Sequence, residues 1–195
     1  MIAPSQRIEI VSMDVADNDD VVRKITGAVE DFGTPDILIN SAGVGCGDYF
    51  ENISYERFDQ VMKINVYGTR NTIDAVLPFM KRRASGHIVN LSSAAGLIGI
   101  FGYTLYSATK YALVGFSECL RSELKRYGIH VTVVCPPDTR MLFGEISLYR
   151  CDLPVLRGPS SQRLKLFSIS GSILASCSHF SRSVKRSASM PVERS

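Results

Sequence analysis

The sequence predicts an α/β fold, a parallel sheet with flanking helices, and three observations carry that reading. Ile37-Leu38-Ile39 and His87-Ile88-Val89-Asn90-Leu91 are short apolar runs without alternation, the pattern of strands covered on both faces. Longer stretches around them repeat their apolar residues at helical spacing. Strand and helix then alternate along the chain, the order that builds a parallel sheet through helical crossovers.

The elements follow in order. Ile8 to Met13 (Ile-Glu-Ile-Val-Ser-Met) reads as a short strand ending at Asp14. Asp17 can N-cap a helix whose stripe is Val21, Val22, Ile25, Ala28, Val29 and Phe32, and Gly33 stops it. The strand at Ile37 to Ile39 leads into Asn40-Ser41-Ala42-Gly43. Ser54 opens a long helix with Phe58, Val61, Met62, Ile64, Ile73, Val76, Leu77 and Met80 on its apolar side, and Pro78 should kink it. His87 to Leu91 is the next strand. Tyr103 to Tyr127 forms a helix closed by Gly128, and His130 to Cys135 is the last strand before Pro136-Pro137. No internal repeat is present.

At 195 residues with 45% hydrophobic content, one domain and one core are expected. The charge is uneven. Residues 1–146 hold 14 Lys+Arg against 17 Asp+Glu, whereas residues 147–195 hold 8 against 2 and 13 serines. The division is therefore a folded body over 1–145 and a Ser/Arg-rich tail over 146–195 without periodicity, read as largely disordered. The body lacks a clustered basic face, so nucleic acid is not an expected partner. Its single basic cluster, Lys81-Arg82-Arg83, ends a predicted helix and reads as a solvated terminus favoured by the dipole. The five cysteines lack metal-ligand spacing, so no metal is expected, and Cys119 and Cys135 fall in apolar patterns as small core residues. Met1 to Arg7 has no apolar signal core, and no apolar run is long enough to span a membrane. The body reads as cytoplasmic.

The chemistry-bearing residues gather at predicted strand ends. Tyr106-Ser107-Ala108-Thr109-Lys110 places a phenol and an ammonium about one helical turn apart on one face. Ser92-Ser93 closes the strand upstream. A hydroxyl, a phenol and an amine can together protonate a carbonyl while a hydride arrives. A free phenol has a pKa of about 10, and a cation beside it favours the phenolate. Lys110 is placed to supply that charge, and Ser93 could donate to the carbonyl oxygen. Gly86, Gly96, Gly99 and Gly102 fit turns and close backbone approach. His87, His130 and His179 are isolated and receive no role.

With Asn65 and Asn40-Ser41-Ala42-Gly43 added, residues 7 to 141 resemble the short-chain dehydrogenase/reductase family. That resemblance implies a Rossmann-like sheet and a nicotinamide cofactor, NADP or NAD, with NADPH slightly favoured. It implies catalytic roles for Asn65, Ser93, Tyr106 and Lys110, with Asn65 holding a proton-relay water and Lys110 also bonding the nicotinamide ribose. Asp14, Asn40, Ala42, Gly43, Pro136 and Thr139 join Tyr106 and Lys110 as implied cofactor contacts. The implied activity is hydride transfer between a ketone and a secondary alcohol, and the long helices imply a homo-oligomer, a dimer in the family.

The resemblance also marks departures. The family opens with a strand and a glycine-rich turn, TGxxxGxG, and orders its sheet 3-2-1-4-5-6-7. Here the first expected strand matches the family's third, so the opening β-α-β-α portion has no counterpart. After the last strand, Pro136-Pro137-Asp138-Thr139-Arg140-Met141 puts Met141 where the family has a threonine. The same run, with Ile98-Gly99-Ile100-Phe101-Gly102-Tyr103, resembles the branch that includes 3-ketodihydrosphingosine reductases. That branch implies a lipid-like 3-keto substrate, a place in lipid metabolism and the alternative of membrane association. A second expectation stands beside the enzyme: a truncated, catalytically inactive fragment that associates with an intact homologue.

Overall fold

A computed structural model describes residues 10–137 and 166–169. Helix α1 spans Asn18–Phe32. Asp17 caps it, its carboxylate accepting the Asp19 and Asp20 amides, and Gly33 ends it at φ 80°. Strand β1 is Ile37–Asn40. Helix α2, Tyr55–Met62, starts at Ser54, whose hydroxyl accepts the Arg57 N–H. A π turn over Lys63–Tyr67 joins it to α3, Gly68–Arg83. Pro78 lies inside α3, and the break in regular α geometry falls at the π turn instead. Strand β2 is Gly86–Leu91, helix α4 is Thr104–Leu124 and strand β3 is Ile129–Val134. Strand β4, Leu166–Ile169, completes the described elements.

The four strands form one parallel sheet in the order β3-β2-β1-β4. Leu38 aligns with Ile88 and Val131, and Asn40 aligns with Asn90 and Val133, so these side chains share a face. Thr72 of α3 reaches Asn40 and Ser117 of α4 reaches Asn90, which places both helices over that face. The core there holds Leu38, Ile88, Val61, Val76, Met80, Leu105 and Val131, with Val21, Ile25 and Val29 of α1 joining through the α1–α3 contact. Burying a side chain of this kind contributes about 1.5–3 kcal/mol.

Four expectations are corrected. Ile10 to Met13 are not a strand: a ladder needs a neighbour, and Ile10 is 90% exposed; residues 8 and 9 lie outside the described region. Cys119 is exposed on α4 rather than in the core, between Glu118 and Leu120, while Cys135 is half-buried. Arg83 is not a free helix end. Its guanidinium donates to the Thr34, Pro35 and Ser85 carbonyls and pairs with Asp36, locking the turn from α1 into β1. Finally, β4 falls in the stretch given no element from sequence; the rest of the 146–195 tail lies outside the described residues.

Candidate active site

The carboxyl ends of β1 and β2 open side by side, and the residues of interest collect there. The π turn between α2 and α3 puts Asn65 fully inside the protein. Its Oδ1 accepts the Val44 N–H at 2.8 Å, and its Nδ2 donates to the Val44 carbonyl and the Thr109 hydroxyl, both at 3.0 Å. One side chain therefore ties the turn after β1 to the helix that carries Tyr106 and Lys110. Thr109 continues the link by donating to the Tyr106 carbonyl at 2.8 Å.

Lys110 lies beneath this turn, 6% exposed. Its ammonium donates to the Leu91 carbonyl at 3.0 Å and sits 5.5 Å from the Tyr106 ring centroid. Burial pushes its pKa down to about 8, with Cys135 pulling weakly the other way. Tyr106 is half-buried and meets Tyr103 edge to face. Ser92 donates to the Lys110 carbonyl at 2.8 Å. Ser93 begins the turn after β2, its hydroxyl accepting the Ala95 N–H. Gly96 makes this loop possible, because a Cβ there would stand 2.7 Å from the Lys110 carbonyl oxygen. The sequence reading of Gly96 as a close-approach position is thus met by the packing of the loop on α4.

The turn after β1 has a matching cradle. A Cβ at Gly43 would lie 3.3 Å from Asn65 Oδ1 and 3.7 Å from Lys110 Nζ. Glycine there keeps open the space beside a buried ammonium and an amide oxygen. Ala42 and Gly43 are half-buried, so this backbone is reachable. Asn40 points into the core instead, donating to Asn90 Oδ1 and accepting from Thr72. Its side chain therefore joins β1 to β2 and to α3. The Pro136 carbonyl accepts the Ala94 N–H and so joins the end of β3 to the Ser93 turn. Asp14 is exposed, its carboxylate accepting the Ala16 N–H before α1. Thr139 and Met141 lie outside the described residues.

Sequence reasoning gave no role to Thr72, Asn90, Thr109 and Ser117, which join the helices to the sheet and the site. The signal was present: Asn40 and Asn90 interrupt apolar strand runs at aligned positions. Ser107, beside Tyr106, carries a buried hydroxyl without a hydrogen-bond partner among the described residues.

The cluster agrees with what the chain resembles. The family model for short chain dehydrogenase matches residues 2–143. The 3-dehydrosphinganine reductase of Danio rerio is 42% identical over 139 residues, which cover 71% of this chain and 42% of that protein. A short-chain dehydrogenase structure from Streptomyces avermitilis superposes with a TM-score of 0.65 at 33% identity, covering 68% of this chain and 49% of that one. The structure of ElxO with NADP bound gives a TM-score of 0.63 at 31% identity, covering 65% and 52%. This chain thus spans about half or less of the length of these relatives. No helix among the described residues is long and apolar enough to cross a membrane. Taken with the Tyr106–Lys110 pair, the Asn65 clamp and the order of the elements, the matched model places this chain in the short chain dehydrogenase family.

Proposed function

We propose that this chain belongs to an NAD(P)-dependent oxidoreductase that interconverts a ketone and a secondary alcohol. The observation that carries the reading is the buried Lys110 ammonium beside the Tyr106 ring, next to the open backbone at Gly43. A nicotinamide cofactor, when bound, supplies the hydride. Tyr106 donates its phenolic proton to the carbonyl oxygen, and Ser93 donates a hydrogen bond that holds that oxygen. Lys110 steadies the phenolate left behind. Solvent returns the proton to the half-buried phenol, completing the balance of one hydride and one proton per ketone. Asn65 acts through Val44 and Thr109, fixing the turn and the helix against each other.

Gly43 and Lys110 suit the cofactor because a position without a side chain lies beside a cation, while Ala42 packs against the core next to them. NADPH is the first choice, in keeping with the ElxO structure that holds NADP. The substrate class proposed is a lipid-like 3-keto compound, supported by the name of the Danio rerio reductase. A cytoplasmic setting, or a membrane-associated one for a lipid substrate, belongs to the same proposal. So does a homo-oligomer through the long helices, supported by Tyr67, 54% exposed at the end of the π turn that leads into α3, and Tyr111, 45% exposed on α4.

The test is titration of the purified chain with NADPH and NADH by fluorescence, followed by a ketone screen. Saturable binding is expected, with Tyr106→Phe retaining affinity while turnover falls about 10²–10⁴-fold. A folded protein that binds neither cofactor would replace this reading with that of a non-catalytic fragment.

A further inference from the structure

Strand β4 lies on the β1 edge, parallel to it, with Leu38 opposite Phe167 and Asn40 opposite Ile169. By the sheet order that the resemblance implies, this is the edge where the family has its own first strand. Ile169 is 8% exposed within the hydrophobic core, and Phe167 packs against that core. At the end of the ladder the Ser41 N–H donates to the Ile169 carbonyl at 2.8 Å. Three residues later Val44 is held by Asn65. The Ser41–Gly43 turn is therefore pinned at both ends, and one pin comes from the far end of the chain.

We propose that β4 is a positioning strand for the Asn40–Gly43 turn. The Ile169 carbonyl fixes the direction in which the chain leaves β1, and so sets dinucleotide affinity at the turn. The consequence for affinity rests on the cofactor reading of that turn; the positioning itself does not.

Backbone alternation makes the proposal testable. Asp36 turns its carbonyl to β2, accepting the His87 N–H, whereas Ser41 turns its amide to β4. Successive residues turn their N–H and C=O to opposite sides, so the Ile39 amide also faces β4, and Leu38 and Asn40 face β2. Within β4 the Ile169 carbonyl faces β1, which puts the Phe167 amide on the same side and the Ser168 amide on the other. Proline at 167 removes a ladder donor, whereas proline at 168 removes an amide that faces away from β1, on the outer edge of the described sheet.

The experiment uses the full chain, with hydrogen exchange at single amides and NADPH titration. In the parent, Ser41 and Ile39 should be protected. Phe167→Pro should speed exchange at both by about tenfold or more and weaken NADPH binding about tenfold, with amides of the β2–β3 ladder unchanged. Ser168→Pro should stay within about threefold of the parent, and Phe167→Leu, which restores the amide and most of the side-chain bulk, should recover affinity. Free exchange of Ser41 and Ile39 in the parent would overturn the proposal. Equal weakening by the two prolines would do the same, as would a loss of protection across β2 and β3 in Phe167→Pro. If the parent binds no NADPH, the cofactor reading fails, while exchange at Ser41 still decides the role of the strand.

Discussion

On one face of the sheet, Leu38, Ile88 and Val131 line up beneath α3 and α4; at the adjoining positions on the other face stand Ile37, His87 and His130. The helix-covered face pairs its polar groups across elements: Thr72 to Asn40, Asn40 to Asn90, and Asn90 to Ser117, which in turn donates to the Leu113 carbonyl within α4. The second face keeps its polar contacts within the sheet. His87 Nε2 meets the Thr132 hydroxyl at 2.8 Å, and the His87 and His130 rings stand edge to face, with His130 and Thr132 exposed. Ile39 and Val89 are buried there too, yet stand apart from the core cluster under the helices. The difference teaches where register is enforced. A one-residue slip would take both asparagines from their partners on the covered face, whereas among the described residues the second face would lose the partly exposed His87–Thr132 and His87–His130 contacts.

The contrast can be broken most heavily at Ile88, which is fully buried under the helices. Ile88→Ala should cost about 2–5 kcal/mol in urea unfolding, far more than the same change at Ile37 on the half-buried second face. Lys110 comes next. Its pKa falls from 10.5 to about 8 on folding, so the folded state binds fewer protons between those values. Stability should therefore rise with pH across that window, by about 3 kcal/mol, and stand at its lower level below about pH 8. Lys110→Met should flatten that rise, and urea midpoints of parent and variant from pH 7 to 10.5 would show it.

Asn90→Leu should cost about 1–3 kcal/mol by stranding the Asn40 amide, whereas Thr132→Val on the second face should cost less than about 1 kcal/mol. The smallest effect belongs to His87, whose pKa is lowered by burial first and by His130 second. A base with a depressed folded pKa disfavours the fold once it must be charged. Stability should thus decline as pH falls below 6.5, and His87→Gln should make that acid limb shallower in thermal melts at pH 5 to 7.

Much of the covered face was legible in the chain. The runs around Leu38 and Ile88 are strands, and Asp17, Ser54, Gly33 and Gly128 mark the helix ends where local chemistry puts them. Tyr106 and Lys110 fell on one helix as their spacing required. What escaped was non-local. Ile10 to Met13 carry strand residues without a ladder partner among the described residues, whereas Leu166–Ile169, set among serines, gain one. The Thr72–Asn40–Asn90–Ser117 chain depends on strand register, which no local pattern supplies. Arg83 looked like a solvated charge because its acceptors are carbonyls, invisible in a side-chain sequence.

The pairing of β1 with β4 also orders events in time. The β1–β2 and β2–β3 ladders each join neighbouring parts of the chain, but β1 meets β4 across most of its length. During synthesis the first three described strands and their helices emerge before Leu166–Ile169, the described partner on the other edge of β1. Contacts of such separation are slow to close, and an open apolar edge is where nascent chains meet one another. Leu166–Ile169 is thus the last of the four described strands to emerge, and the interval before it docks is when the β1–β4 pairing is open to misassembly.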